Sequence, residues 1–105
     1  MKKISLQPYP GEIWHCVSKK EYQKTHKKVF KKKDNIKGVS GRASGSFAKG
    51  TYLIWGKTHD TLLHEISHAL LFLFEAVGID PREANGEPFC YLLQHVVREI
   101  TNKKE

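Results

Sequence analysis

A chain of 105 residues, 39% hydrophobic and 28% charged, has room for one small domain and is too apolar for a disordered protein. Two cysteines are too few for a disulfide framework, which fits a reducing compartment such as the cytoplasm. The net charge of +7 is compatible with a nucleic acid or an acidic partner, and no apolar stretch is long enough for a membrane span.

Two short strands are predicted near the beginning of the chain. Residues 4–6 form the first strand, which ends before Pro8. Residues 13–17 are rich in residues that favour β-structure and form the second. The pair Pro10-Gly11 between them is a turn signal, so the two strands are expected to be separate elements.

A basic helix should follow the second strand. Ser18 and Glu21 have the spacing of a capping box, which predicts a helix over about residues 19–31. We expect this helix to pack on a sheet edge, because its amphipathicity is modest. Its inward positions would be Tyr22, His26 and Val29 or Phe30.

The same region concentrates positive charge, with eight lysines and one acidic residue between positions 19 and 33. Such a block is more often a solvated helix face, but it can also bind nucleic acid or an acidic partner. No aromatic ladder or known nucleic-acid motif accompanies it. The lysines are Lys19, Lys20, Lys24, Lys27, Lys28, Lys31, Lys32 and Lys33.

Residues 37–50 are dense in glycine, serine and lysine. We expect a short strand over residues 39–43 and a turn near Ser44-Gly45. Residues 52–55 are the clearest strand of the chain. A substrate strand could pair with the sheet edge near residues 46–55 through backbone hydrogen bonds.

Two further helices are predicted in the C-terminal half. The first is capped by Thr58 or Asp60 and runs to about Val77. Its second half is apolar on almost all sides, so it should be buried or covered by a partner. The second helix is predicted to begin near Gly86 or Glu87 and should fold back antiparallel, because the connection is short.

These elements together predict an α+β fold. A small antiparallel or mixed sheet of three to four strands would pack on two or three helices in one domain, residues 1–105. Residues 1–56 would supply the strands and the basic helix, and residues 57–105 the two later helices. Oligomeric state is left open by the sequence.

The segment His64-Glu65-Ile66-Ser67-His68 carries the clearest chemical signal. Side chains four residues apart lie on one face of a helix, so His64 and His68 can direct ring nitrogens at one metal ion. Glu65 would lie beside that ion and could accept a proton from a water molecule. The pattern predicts a zinc site with Glu65 as general base.

A catalytic zinc usually takes three protein ligands, so a third ligand is needed. Glu87 is the first choice, because its helix folds back over the first. An acidic residue in the first turn of a helix is also favoured by the helix dipole alone. Glu83, Cys90 and His95 stay open as alternatives.

Tyr91 and the histidines outside the motif also have expected roles. Tyr91, one turn past Glu87, could donate a hydrogen bond to a transition-state oxyanion, although such a tyrosine is more often part of the core. His15, His26 and His59 lack ligand spacing and are expected to be ordinary, partly exposed residues.

The stretch from Thr61 to Leu70, with a strand before it and Gly86-Glu87-Pro88-Phe89-Cys90-Tyr91 after it, resembles short zincin metallopeptidases of the gluzincin type. These include ImmA/IrrE-like and phage-encoded small proteins. The resemblance covers residues 51–93. It implies a zincin-like core, His64, His68 and Glu87 as zinc ligands, Glu65 as catalytic residue, and the host cytoplasm if the protein is phage-encoded. Where the family often has alanine, this chain has Cys90.

Three functions are compatible with these observations. The leading one is a zinc-dependent peptidase acting on a peptide or protein substrate, with Glu65 moving a proton from water to the leaving amine. The second is a non-catalytic module that keeps the scaffold and uses zinc for stability. The third is a nucleic-acid-associated protein that binds through residues 19–33.

Overall fold

The computed structural model describes residues 1–102 and has an α+β fold, as predicted, with a four-stranded mixed sheet and three α-helices. No helix within these residues is long and apolar enough to cross a membrane. A short 3-10 turn, Glu83–Gly86, precedes the last helix. The strands are β1 (Lys2–Ser5), β2 (Glu12–His15), β3 (Gly41–Ser46) and β4 (Thr51–Gly56), and the helices are α1 (Lys19–Phe30), α2 (His59–Val77) and α3 (Glu87–Thr101).

The strand order is β1-β2-β4-β3, so β4 is an inner strand. β2 and β4 run parallel across a connection that contains α1, and the other two pairs are antiparallel. The predicted sheet edge near residues 46–55 is therefore wrong, because β4 is hydrogen-bonded on both sides. The open edge next to the histidine motif of α2 is β3, because β3 forms a hairpin with β4 and lies outside it in the sheet.

The predicted turn near Ser44-Gly45 is also wrong. These residues continue β3, and the chain turns at residues 47–50, where the Gly50 N–H closes the turn with a hydrogen bond of 3.0 Å. Gly45 serves packing instead, because a methyl group there would overlap the ring of Tyr52 on the neighbouring strand. A glycine needed for close approach looks the same in sequence as a glycine needed for a turn.

Side chains alternate along β4 and both of its faces are covered. Tyr52 and Ile54 belong to the larger core, beneath α2 and α3. Leu53 and Trp55 belong to a second core with Tyr22 of α1. The helix α1 therefore packs across a sheet face over an inner strand, and the expectation that it packs on an edge is wrong.

The inward positions predicted for α1 are confirmed at Tyr22 and His26, which are both buried. His26 was expected to be partly exposed, but only 6% of its surface is accessible. Its Nδ1 lies 2.8 Å from the Lys32 carbonyl oxygen, and its ring meets Phe30 edge-on. One helical turn from the fully buried Tyr22, this histidine is part of the core.

The Ser18 half of the predicted capping box is present at the start of α1, and the Glu21 half is shifted by one residue to Val17. The Ser18 hydroxyl accepts a hydrogen bond from the Glu21 N–H at 3.1 Å, and the Glu21 carboxylate accepts one from the Val17 N–H at 2.8 Å. The first contact satisfies a backbone donor of the helix end that would otherwise lack a partner, and the second fixes the residue that precedes the cap.

Removing this cap is expected to destabilise the protein measurably. Ser18→Ala should lower the free energy of unfolding by about 1 kcal/mol, because the Glu21 N–H loses its acceptor. Urea denaturation followed by circular dichroism measures the change. Ser40→Ala, at an exposed loop position, is the control. Equal stability of the wild type and Ser18→Ala would show that the cap contributes nothing.

The helix α2 is not buried on all sides within the described chain. One side packs into the larger core and includes Leu70 and Phe74, both fully buried. The other side exposes Leu63, Leu71 and Phe72. The two histidines of the motif lie on this open side, so they can be reached from outside.

Candidate metal centre

The helix that carries the motif is fixed at its beginning by Thr58, one of the two predicted caps. The Thr58 hydroxyl accepts a hydrogen bond from the Thr61 N–H. Asp60 follows in the first turn, where hydrogen bonds from Thr58 and from backbone N–H groups lower the pKa of its carboxyl group. The motif begins one turn further on, so the helix backbone beneath it is regular.

His64 and His68 converge on the exposed side of α2. Their Nε2 atoms are 3.1 Å apart, and their rings stand at 80° to each other. Two nitrogens bound to one tetrahedral zinc ion at 2.0–2.1 Å would be separated by roughly 3.3 Å. The pair therefore has nearly the spacing of two ligands, although the same distance also fits a hydrogen bond between the rings.

Phe72 supports the second of these imidazoles from the next turn of α2. Its ring is nearly parallel to that of His68, with 6.3 Å between the ring centroids and 21° between the planes. The contact with Phe72 restricts rotation of the His68 imidazole. Because both side chains are exposed, the imidazole stays accessible. An imidazole held in one orientation loses less freedom when it binds a metal.

Glu65 points away from the histidines' open side, toward β3. It is buried, with 8% of its surface accessible. A Cβ atom on Gly41 would lie 3.0 Å from its Oε2, so the glycine makes room for this carboxylate. Within residues 1–102 the carboxylate has no hydrogen-bond or ion-pair partner. Among residues 1–102 the only fully enclosed side-chain N or O atom without a partner is the Tyr52 hydroxyl, so the Glu65 oxygens border the open cleft and are not sealed in the core.

A cleft of about 430 Å³ opens between the beginning of β3 and the first turns of α2. Because β3 is an open edge of the sheet, unpaired backbone groups adjoin the cleft. One wall is formed by Val39, Ser40 and Gly41, and the other by Asp60, Thr61, His64 and Glu65.

Gly41 and its neighbours were not recognised from the sequence as part of a site. Their place beside Glu65 depends on the pairing of Gly41 with Gly56 across the β3–β4 hairpin. This pairing is set by the turn at residues 47–50, which the sequence pattern did not locate. A glycine at the beginning of a strand was the only local signal.

The structure does not bring a third donor to the two histidines. Among residues 1–102, no three His, Cys, Asp or Glu side chains form a group that could hold a metal ion. Glu87 is exposed in the first turn of α3, where the nearby Phe89 contacts Phe74 of α2. Since Phe74 is about 9 Å along the helix from His68, this register keeps Glu87 away from the pair.

The alternative ligands are not grouped with the pair either. Glu83 is exposed in the 3-10 turn, and Cys90 is an exposed free thiol. His95 is held elsewhere, with its Nε2 2.9 Å from the Ser5 carbonyl oxygen of the β1 end. Tyr91 is 66% exposed and lines a different cleft, so the structure does not place its hydroxyl beside Glu65.

Comparisons with family models, with curated proteins and with solved structures found no match for this chain. The resemblance to gluzincins therefore depends on the motif residues alone and stays a prediction. The chemistry available to this chain follows from the geometry of His64, Glu65 and His68.

Proposed function

We propose that this protein is a zinc-dependent peptidase whose metal is held by His64 and His68. The observation that carries the proposal is the convergence of their Nε2 atoms, 3.1 Å apart, one residue away from a buried carboxylate at a cleft. Imidazole nitrogens are common zinc ligands. Zinc in this position would act as a Lewis acid toward the scissile carbonyl and the attacking water.

Glu65 is the general base of the proposed reaction. Its carboxylate borders the cleft, and neither oxygen is engaged by another group within residues 1–102. It would accept a proton from the attacking water and donate it to the leaving amine. Gly41 keeps the space that this side chain needs.

The substrate would be an extended peptide segment along β3. In the described part of the chain no strand pairs with the outer edge of β3, and β3 begins at the cleft that contains His64 and Glu65. An added strand gains affinity from backbone hydrogen bonds, which are available for many sequences. Side chains on alternate positions of the peptide would then meet the cleft walls.

The third ligand is proposed to come from the segment after α2. Glu87 and, as second choice, Glu83 flank Ala84 and Asn85, whose φ angles are 52° and 58°. Left-handed backbone costs about 1 kcal/mol or more at an alanine such as Ala84, whereas asparagine tolerates it better. A change of conformation in this turn would release that strain and partly offset the cost of shifting α3 past the Phe74–Phe89 contact, which Glu87 needs in order to approach His68.

Zinc content of the purified chain tests this centre. We expect one zinc ion per chain after loading and dialysis, and none in His64→Ala or His68→Ala, because each substitution removes a ligand. His59→Ala is the matched control, an exposed histidine on the same helix. The zinc affinities of Glu83→Ala and Glu87→Ala are measured against a competing chelator. The variant with the weaker zinc affinity identifies the third ligand. The centre would be disproved if the wild type held no zinc, or if His59→Ala lost as much zinc as His64→Ala and His68→Ala.

A non-catalytic, zinc-stabilised module is the second candidate. The observation in its favour is that residues 1–102 hold two converging histidines but no third donor beside them. Zinc would then contribute mainly to folding stability. In that case Glu65 would be dispensable, whereas loss of either histidine would lower the melting temperature of the zinc-loaded protein.

We also propose a cytoplasmic location. Cys16 and Cys90 are both free, one buried and one exposed. Burial raises the pKa of the Cys16 thiol to about 11, so this thiol is unreactive near neutral pH. A free exposed thiol such as Cys90 persists most readily in a reducing compartment.

A further inference from the structure

We propose that the face of the sheet opposite the histidine pair binds single-stranded nucleic acid along α1. The inward side of this helix, with Tyr22 and His26, covers the second core. Lysines at spacings of three and four residues share its outward side, since such positions lie on one helix face. These residues, here named the lysine stripe, are Lys20, Lys24, Lys27 and Lys28, followed by Lys31 at the left-handed C-cap just beyond the helix, and all are exposed.

The charge of the lysine stripe is not neutralised by any carboxylate among residues 1–102. Within residues 1–102 the ion pairs join Met1 to Glu21, Arg42 to Asp34 and Arg82 to Asp80, so no lysine of the stripe has a carboxylate partner. From its first to its last lysine the stripe is roughly 17 Å long. A stripe of this length can contact a few successive phosphates of an extended single strand.

A cleft of about 570 Å³ lies beside the lysine stripe, between α1 and the strands β1 and β2. Trp14 lies in this cleft, partly exposed, and its indole N–H donates to the Glu12 carboxylate at 3.0 Å. The Lys3 ammonium lies 4.0 Å from the centre of the Trp14 ring. The cleft thus combines an aromatic ring with the cations of Lys3, Lys24 and Lys28.

The acidic residue that lines this cleft does not oppose an anion strongly. The Glu21 carboxylate accepts a hydrogen bond from the Val17 N–H at 2.8 Å and lies 3.5 Å from the Met1 amino group. Its charge is therefore compensated locally. The excess positive charge of Lys24 and Lys28 remains available to a bound phosphate.

The aromatic ring selects a single strand over a duplex. A base can stack on Trp14 only when it is unpaired, and stacking on an aromatic ring in a basic groove is how sequence-independent single-strand binders work. The stacking base would replace the Lys3 ammonium over the ring. Lys3 would then be free to contact the adjacent phosphate. The binding surface is separate from the histidine pair, so it does not depend on the proposed peptidase activity.

Fluorescence anisotropy of a labelled deoxythymidine 12-mer tests the lysine stripe on the full chain. The triple variant Lys20→Gln, Lys24→Gln and Lys28→Gln should bind the 12-mer at least about tenfold more weakly. Its binding constant should also depend less steeply on salt, with the magnitude of the slope of log K against log salt smaller by about 2. Lys37→Gln, Lys49→Gln and Lys57→Gln together are the control, since these exposed lysines lie outside α1 and remove the same charge. Equal losses in both triples would overturn the proposal.

Trp14 separates single-strand binding from other polyanion binding. Trp14→Ala should weaken binding of the 12-mer by about tenfold through the lost stacking, whereas Trp14→Phe should keep most of the affinity. Circular dichroism checks that both variants are folded. The assignment would be overturned if duplex DNA or phosphatidylserine vesicles bound as tightly as the 12-mer. It would also be overturned if the wild type, Trp14→Ala and Trp14→Phe bound the 12-mer with equal affinity.

Discussion

Glu65→Gln is expected to abolish peptide hydrolysis while the zinc content and the fold stay unchanged. Glutamine has the shape of glutamate but cannot accept the proton of the attacking water. General bases contribute about 10²- to 10⁴-fold to rate, so kcat should fall by at least about a hundredfold. Hydrolysis of a mixture of internally quenched peptides by the zinc-loaded chain measures the effect.

The matched control for this experiment is Glu75→Gln. Glu75 is exposed on the same helix, so the substitution removes the same charge without touching the cleft. It should leave hydrolysis unchanged. Unaltered hydrolysis in Glu65→Gln would contradict the assigned role. A zinc-loaded wild type that cleaves none of the peptides would favour the non-catalytic module.

Phe74→Ala is expected to have the largest effect on stability. Phe74 is fully buried and contacts Tyr9 and Phe89, with ring centroids 5.6 and 5.8 Å away, so it joins α2 to α3 and to the chain after β1. Truncating such a phenylalanine costs about 3–5 kcal/mol. Because a domain of this size is stable by only about 5–15 kcal/mol, the variant should unfold at much lower urea concentration.

Phe72→Ala supplies the control for this prediction. Phe72 lies two residues earlier on the same helix but is 38% exposed, and its truncation leaves no enclosed cavity. Its cost should stay below about 1 kcal/mol. Similar urea midpoints for Phe72→Ala and Phe74→Ala would show that α2 is not anchored through the larger core.

Elements with local signals were predictable from the sequence. The capping box at Ser18 placed the beginning of α1 correctly, because the cap depends on residues only three positions apart. The run at residues 52–55 placed β4 for the same reason. The error at Gly45 arose because its role is to make room for Tyr52, a residue on the neighbouring strand.

The same distinction applies to the site. The spacing of His64 and His68 is local to one helix, and their ring nitrogens converge as the sequence suggested. The position of Glu87 depends on how α3 packs against α2, which is set by the Phe74–Phe89 contact and by the backbone at residues 83–86. No local pattern encodes that register, so the position of Glu87 relative to the histidine pair could not be predicted from the sequence.

The burial of β4 on both faces has a consequence for how the chain folds. The strand contributes Tyr52 and Ile54 to one core and Leu53 and Trp55 to the other, so neither core is complete without it. The lysine-bearing side and the histidine-bearing side should therefore form and melt as one cooperative unit. Cutting the chain after residue 56 would leave an apolar sheet face without its helices, and such a fragment would aggregate before it could act.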